Sequence, residues 1–191
     1  MVIQVFSDYA CPYSYLAWQV IDRVEAEVVW RAAARIDGRW RDDILPLAGR
    51  LGVTIEQPVA APDTRKAHEA AAWARTRGAF DGFHRRLFEA HFREGLDIGD
   101  VEVLGDIAWK TGLNRSELKD VLEQGLMVDE VEEDLLIGRT YGIKGLPTMV
   151  VGGRMIFGVQ DVETVRRAIR DAGRGDFPPG PGAMGGLPVI K

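Results

Sequence analysis

Val2, Ile3, Val5 and Phe6 form a short apolar run that stops at Ser7-Asp8, which predicts a buried strand. After Pro12, the apolar positions Leu16, Ala17, Val20, Ile21 and Val24 recur at helical spacing, and proline suits the first turn of that helix. Val28 to Ala34 then reads as a second strand, with β-branched and aromatic residues leading. The middle is helical. After Pro62-Asp63-Thr64, alanine-rich Lys66 to Arg77 predicts one helix and Phe80 to Phe92 the next. Val101, Leu104 and Ala108 mark a helix that stops at Gly112. Asn114 with Glu117 forms a capping-box pattern for a helix that ends near Gly125. Val128, Val131, Leu135 and Leu136 define one more, closed by Gly142.

The period then shortens. Thr148 to Val151 and Met155 to Phe157 are short strands joined through Gly152-Gly153, a two-residue hairpin signal. Asp161 caps a last helix with inner face Val162, Val165 and Ile169, ending at Gly173. The order strand–helix–strand, helices, strand–strand–helix defines an α/β class. It resembles a thioredoxin-like fold with an inserted all-helical subdomain at about 63–141, within one domain over 1–173. The tail from Arg174 to Lys191 is half glycine and proline, and is expected to pack on its own domain or a neighbouring subunit, so a homodimer is a candidate assembly.

Composition narrows the function classes. A hydrophobic fraction of 46% and a charged fraction of 28% are globular values. The formal net charge of -5 gives a phosphate backbone no overall attraction, and Arg85-Arg86 and Arg166-Arg167 sit beside acids on expected helices, so nucleic acid is not an expected partner. No apolar run approaches the ~20 residues of a membrane helix. The N-terminus shows neither a basic leader nor a small-residue cleavage site, and a lone thiol without an export signal suits a reducing cytoplasm.

The chain has one cysteine, Cys11, between the first strand and the first helix. A thiol there faces unpaired N–H groups and the positive end of the helix dipole, so a depressed pKa and a reactive thiolate are expected. Ser14, one turn on, is placed to donate a hydroxyl hydrogen bond to the sulfur. His84 and His91 are seven apart with no metal-ligand constellation around them, and His68 is expected to orient local structure near the helix start at Asp63-Thr64. No metal site is expected. The acidic run from Asp129 to Asp134 reads as a solvated helix face.

Asp8-Tyr9-Ala10-Cys11-Pro12-Tyr13-Ser14-Tyr15-Leu16 resembles the active-site segment of DsbA-like thioredoxin-fold proteins, especially the FrnE-like branch. Asp63 to His68, Leu87 to Phe92 and Gly142 to Thr148 are similar to further segments of that branch. The resemblance implies a cis proline at Pro147 facing the Cys11 sulfur. It also implies that the Leu146 backbone hydrogen-bonds an extended thiol substrate. Tyr13, beside the thiol, is placed either to shape substrate entry or simply to cover the helix end, and Pro12 is grouped with it as a candidate substrate-binding residue. Ser14 replaces the second cysteine of the dithiol members, so Cys11 cannot close an internal disulfide. A monothiol oxidoreductase remains, with a thiol or disulfide substrate, no bound cofactor, and glutathione as a candidate co-substrate.

The segment also resembles the Ser-Pro-x-Ser of 2-hydroxychromene-2-carboxylate isomerase and kappa-class glutathione transferase, where the first serine activates glutathione. A glutathione-dependent isomerase or transferase acting on a hydrophobic small molecule is therefore a second reading. A non-catalytic binding module is a third. The position aligned with that group's glutathione-gripping aspartate is Gln160, with Asp161 next to it.

Overall fold

The computed structural model describes residues 2–33, 40–58 and 62–174. Four strands, β1 (Val2–Ser7), β2 (Glu27–Ala32), β3 (Thr148–Val151) and β4 (Arg154–Phe157), form one sheet in the order β2-β1-β3-β4. β1 runs parallel to β2, and β3 is antiparallel to both β1 and β4. The right-handed crossover expected of a parallel pair is supplied by helix α1 (Pro12–Ile21). Gly152 and Gly153 both have positive φ, 57° and 81°, as a two-residue turn between β3 and β4 requires.

The sheet's two faces are sorted by the alternation of β1. Ile3 and Val5 enter the main core with Met149 and Val151, under α1 and the last helix, α8 (Val162–Arg174). Phe6 points the other way and packs with Ala33, Val150, Ile137 and Tyr141. The strand β2 ends at Ala32, two residues before the expected end; Ala33 is no longer strand and Ala34 lies outside the described residues.

Between β2 and the insertion lies a helix the hydrophobic pattern did not predict, α2 (Ile44–Leu51). Its eight residues include Pro46 and Gly49, which mask helical periodicity. The insertion is five helices: α3 (Arg65–Thr76), α4 (Phe80–Phe92), α5 (Val101–Lys110), α6 (Arg115–Gln124) and α7 (Val128–Tyr141). Asn114 caps α6 by accepting from the N–H groups of Ser116 and Glu117 at 2.9 and 3.1 Å. Glu117 does not close the capping box; its carboxylate pairs instead with Arg77, the C-cap of α3. Residues 175–191 lie outside the described residues, and with them the expected packing of the tail.

The acidic run on α7 is not a solvated face throughout. Asp134 is buried, not solvated: its carboxylate accepts from Arg31 at 2.7 Å and from the Ala32 N–H at 2.9 Å, tying α7 to edge strand β2. Arg31 also donates to Gln4 at 2.7 Å. Asp134→Asn keeps the shape and removes the charge, and is expected to lower stability by about 1–2 kcal/mol in urea unfolding. A loss near zero would mean that the pair does not anchor the insertion.

Candidate functional site

β1 ends at Ser7, and Asp8 to Ala10 turn the chain into α1. Cys11 is the N-cap residue, with extended backbone (φ −88°, ψ 114°), and Pro12 opens the helix where its missing N–H costs nothing. The Cys11 N–H donates to the Asp8 carbonyl at 3.1 Å, and the Cys11 carbonyl accepts the first helical bond from Tyr15 at 3.1 Å. Ser14 is fully buried, and its Oγ accepts from the Asp8 N–H at 3.3 Å. That bond leaves the hydroxyl hydrogen free to point at the sulfur. Tyr13 is half-buried and donates to Asp43, the N-cap of α2, at 2.6 Å; burial and this bond push its pKa up to about 12.

The expected depressed pKa of Cys11 is reversed. The thiol is 2% exposed, and burial pushes it above its ordinary value. The Ser14 hydroxyl and the N–H groups of Ser14 and Tyr13 pull the other way, while the Asp8 charge adds to the rise. Helix-end donors are present as the sequence suggests; desolvation outweighs them.

The Leu146–Pro147 peptide is cis. Phe6 pairs with Thr148 across β1 and β3, so the register carries Pro147 to the sheet end where Cys11 begins α1. The Pro147 carbonyl accepts from Gly158 at 2.8 Å, and the Thr148 hydroxyl donates to the Gly145 carbonyl at 2.7 Å. Leu146 is half-buried against the Phe6 cluster. Gln160 donates to the Phe157 carbonyl at 2.9 Å, and Asp161 caps α8 through Thr164. The Asp161 carboxylate is thus already committed.

Several groups at the site were not apparent as such from the sequence. Asp8 is 1% exposed; its carboxylate accepts from the Ala10 N–H at 2.9 Å and from the Thr64 hydroxyl, and faces His68 Nε2 at 3.3 Å. Burial pushes the Asp8 carboxyl up, but His68, Thr64 and Ala10 outweigh it and hold it below the usual carboxylate value. A cleft of about 390 Å³ opens beside this cluster, lined by Asp8, Ala33, Thr64, His68, Val131 and Leu135. Among the described residues no group of His, Cys, Asp and Glu could hold a metal ion, and no helix is long and apolar enough to cross a membrane.

Behind the loop, the Tyr9 hydroxyl and His84 Nδ1 share a hydrogen bond of 2.7 Å inside a box of Trp18, Trp30, Phe80 and Phe88. Burial drives the His84 pKa well below the usual imidazole value, with His68 and Arg75 adding to the fall. An unfolded chain takes up this proton near pH 6.5 and the folded one does not. Stability is therefore complete about one unit above pH 6.5 and falls below that, the slope approaching about 1.4 kcal/mol per pH unit once the unfolded histidine is mostly charged. Wild-type protein is expected to lose about 1 kcal/mol more than His84→Gln between about pH 6.5 and 5.5 in urea unfolding. Equal slopes would count against a neutral buried His84.

A four-stranded β2-β1-β3-β4 sheet, a cysteine capping the helix after β1 and a cis proline before β3 define a thioredoxin-fold protein. The sequence matches the DSBA-like thioredoxin domain over residues 2–170, and the chain belongs to that family. It is 27% identical to the uncharacterized protein YwbO of Bacillus subtilis, over 88% of this chain and 96% of that one. The structure is similar to a probable DsbA oxidoreductase from Streptomyces coelicolor, with TM-score 0.76, 21% identity, and coverage of 100% of this chain and 94% of that one. It is also similar to a 2-hydroxychromene-2-carboxylate isomerase, with TM-score 0.79, 17% identity, and coverage of 92% and 98%.

Proposed function

We propose that the protein is a thiol–disulfide oxidoreductase that works as a monothiol through Cys11. The supporting observation is the placement of the chain's one cysteine at the N-cap of α1, where the Ser14 hydroxyl and the backbone N–H groups of Tyr13 and Ser14 favour a thiolate although no cap hydrogen bond to the resting sulfur is made. Those donors stabilise a thiolate once one forms. The Cys11 thiolate attacks one sulfur of a substrate disulfide, forming a mixed disulfide and releasing the other sulfur as a thiolate. A second thiol, with glutathione as the candidate, then attacks the mixed disulfide as its own thiolate. That step frees Cys11 and leaves a new disulfide between the incoming and bound sulfurs. The cis Pro147 and the Leu146 backbone beside it are the proposed strand-like seat for the substrate, with Pro12 and Tyr13 at its entrance.

Burial shapes this cycle. The resting thiol is protonated at neutral pH, so exchange requires the sulfur to become accessible as the substrate docks. The test is to mix protein with glutathione disulfide and look by intact mass for glutathione bound through Cys11, released by added thiol. Absence of any such adduct after prolonged incubation would refute the proposal.

The same burial favours a second reading. A cysteine held neutral can donate its S–H to a bound glutathione thiolate rather than attack a disulfide, as an isomerase or transferase acting on a hydrophobic small molecule would use it. Saturable glutathione binding that survives Cys11→Ser would support this reading over the first.

A further inference from the structure

We propose that Asp8 is a positioning and charge-setting residue for the Cys11 thiol, held in place from the helical insertion by Thr64 and His68. This rests on the reading of Cys11 as the reacting group. Asp8 connects two sets of partners. Through its backbone it accepts from the Cys11 N–H at 3.1 Å and donates to Ser14 Oγ at 3.3 Å. Through its side chain it meets the Thr64 hydroxyl and, at 3.3 Å, His68 Nε2. Thr64 and His68 lie 56 and 60 positions further along the chain, at the start of α3. The insertion thus grips a residue whose backbone bonds to both Cys11 and Ser14.

A buried carboxylate near a thiol opposes its ionisation, because two negative charges share one poorly solvated region. Asp8 acts on Cys11 in this sense. His68 supplies the hydrogen-bonding, and when protonated the positive, counterpart, and it lines the cleft with its side chain 10% exposed. Other charged groups around the pair are already engaged. Arg65 pairs with Glu132 at 2.7 Å and with Glu69 at 3.8 Å, and Asp63 accepts from the Arg65 N–H at 3.0 Å. On the Tyr9 side, Arg75 donates to the Trp30 carbonyl at 2.8 Å, Asp134 is held by Arg31, and His84 is bonded to Tyr9. The carboxylate therefore acts as a brake on thiolate formation, set from the cleft side of the insertion.

The test is the rate of Cys11 alkylation by iodoacetamide from about pH 6 to about pH 10.5, in wild type, Asp8→Asn, Thr64→Val and His68→Gln. The midpoint reports the thiol's ionisation, and the high-pH plateau reports reagent access. Asp8→Asn is expected to lower the midpoint by about one pH unit with the plateau unchanged to within about twofold. Thr64→Val and His68→Gln leave the carboxylate charged and are expected to leave the midpoint in place or raise it. A midpoint in Asp8→Asn within about 0.3 of wild type would overturn the proposal. So would a lower midpoint and higher plateau shared by all three variants, the signature of a loosened loop. Should Asp8→Asn fail to fold, His68→Lys sets a lasting cation against the carboxylate and is expected to lower the midpoint similarly; an unchanged value there overturns the proposal too. The midpoint is measurable whether or not the protein exchanges disulfides. Expected shifts without exchange would sink the catalytic reading of Cys11 and leave the assignment of Asp8 standing.

Discussion

Cys11→Ala is expected to lower the rate of exchange with glutathione disulfide by at least about a thousandfold, because it removes the sulfur that forms the mixed disulfide. No other cysteine in the chain can substitute for it. Cys11→Ser should lose exchange as completely, since a hydroxyl at that helix end is a poor nucleophile at neutral pH without an adjacent base. The serine variant separates the two functional readings: it keeps a hydrogen-bond donor at the N-cap, so an enzyme that merely activates bound glutathione retains binding. Exchange surviving in both variants would remove Cys11 from the mechanism altogether. The assay is release of free thiol at saturating protein, with wild type and each variant matched for folded content by circular dichroism.

Phe88→Ala is expected to cost about 3–5 kcal/mol, a large share of the 5–15 kcal/mol typical of a folded domain. Phe88 is fully buried on α4 and stacks on Trp18 at 5.6 Å, with Tyr9, Tyr15 and His84 against its other edges. Those rings come from the Cys11 loop, from α1 and from the insertion, so this one side chain joins the parts of the molecule that carry the site. Truncation leaves a cavity that rings on rigid helices cannot collapse to fill. Phe157, which is 55% exposed on β4, is the control: its alanine variant is expected to cost less than about 1 kcal/mol. Urea midpoints for the two variants decide it, and a Phe88→Ala cost as small as the control's would show a loosely packed box.

The elements with strong periodicity and clear punctuation were legible in the chain. Phe80–Phe92 is the expected helix, and the Gly152-Gly153 turn joins the expected strands. α2 was missed because Pro46 and Gly49 break its pattern, although burial of Ile44 and Ala48 settles it against α1. The thiol's place at the head of α1 followed from the strand–Cys–Pro order, but its ionisation did not. A helix end favours thiolate by a local rule, whereas desolvation depends on everything packed around the loop, which no local pattern encodes. The Asp8–His68 contact was hidden for a related reason: the residues are 60 apart, and nothing in their spacing pairs them. Asp134 looked like one acid among several on an outer face until β2 supplied Arg31.

A chain with one sulfhydryl has a covalent valence of one. Under oxidation, two molecules at most can be joined through Cys11, and neither sulfur is then left to extend the chain, so oxidative damage ends at a dimer and never grows into a ladder. Even that dimer requires two buried sulfurs to surface together, which makes a small disulfide the favoured partner over a second copy of the protein.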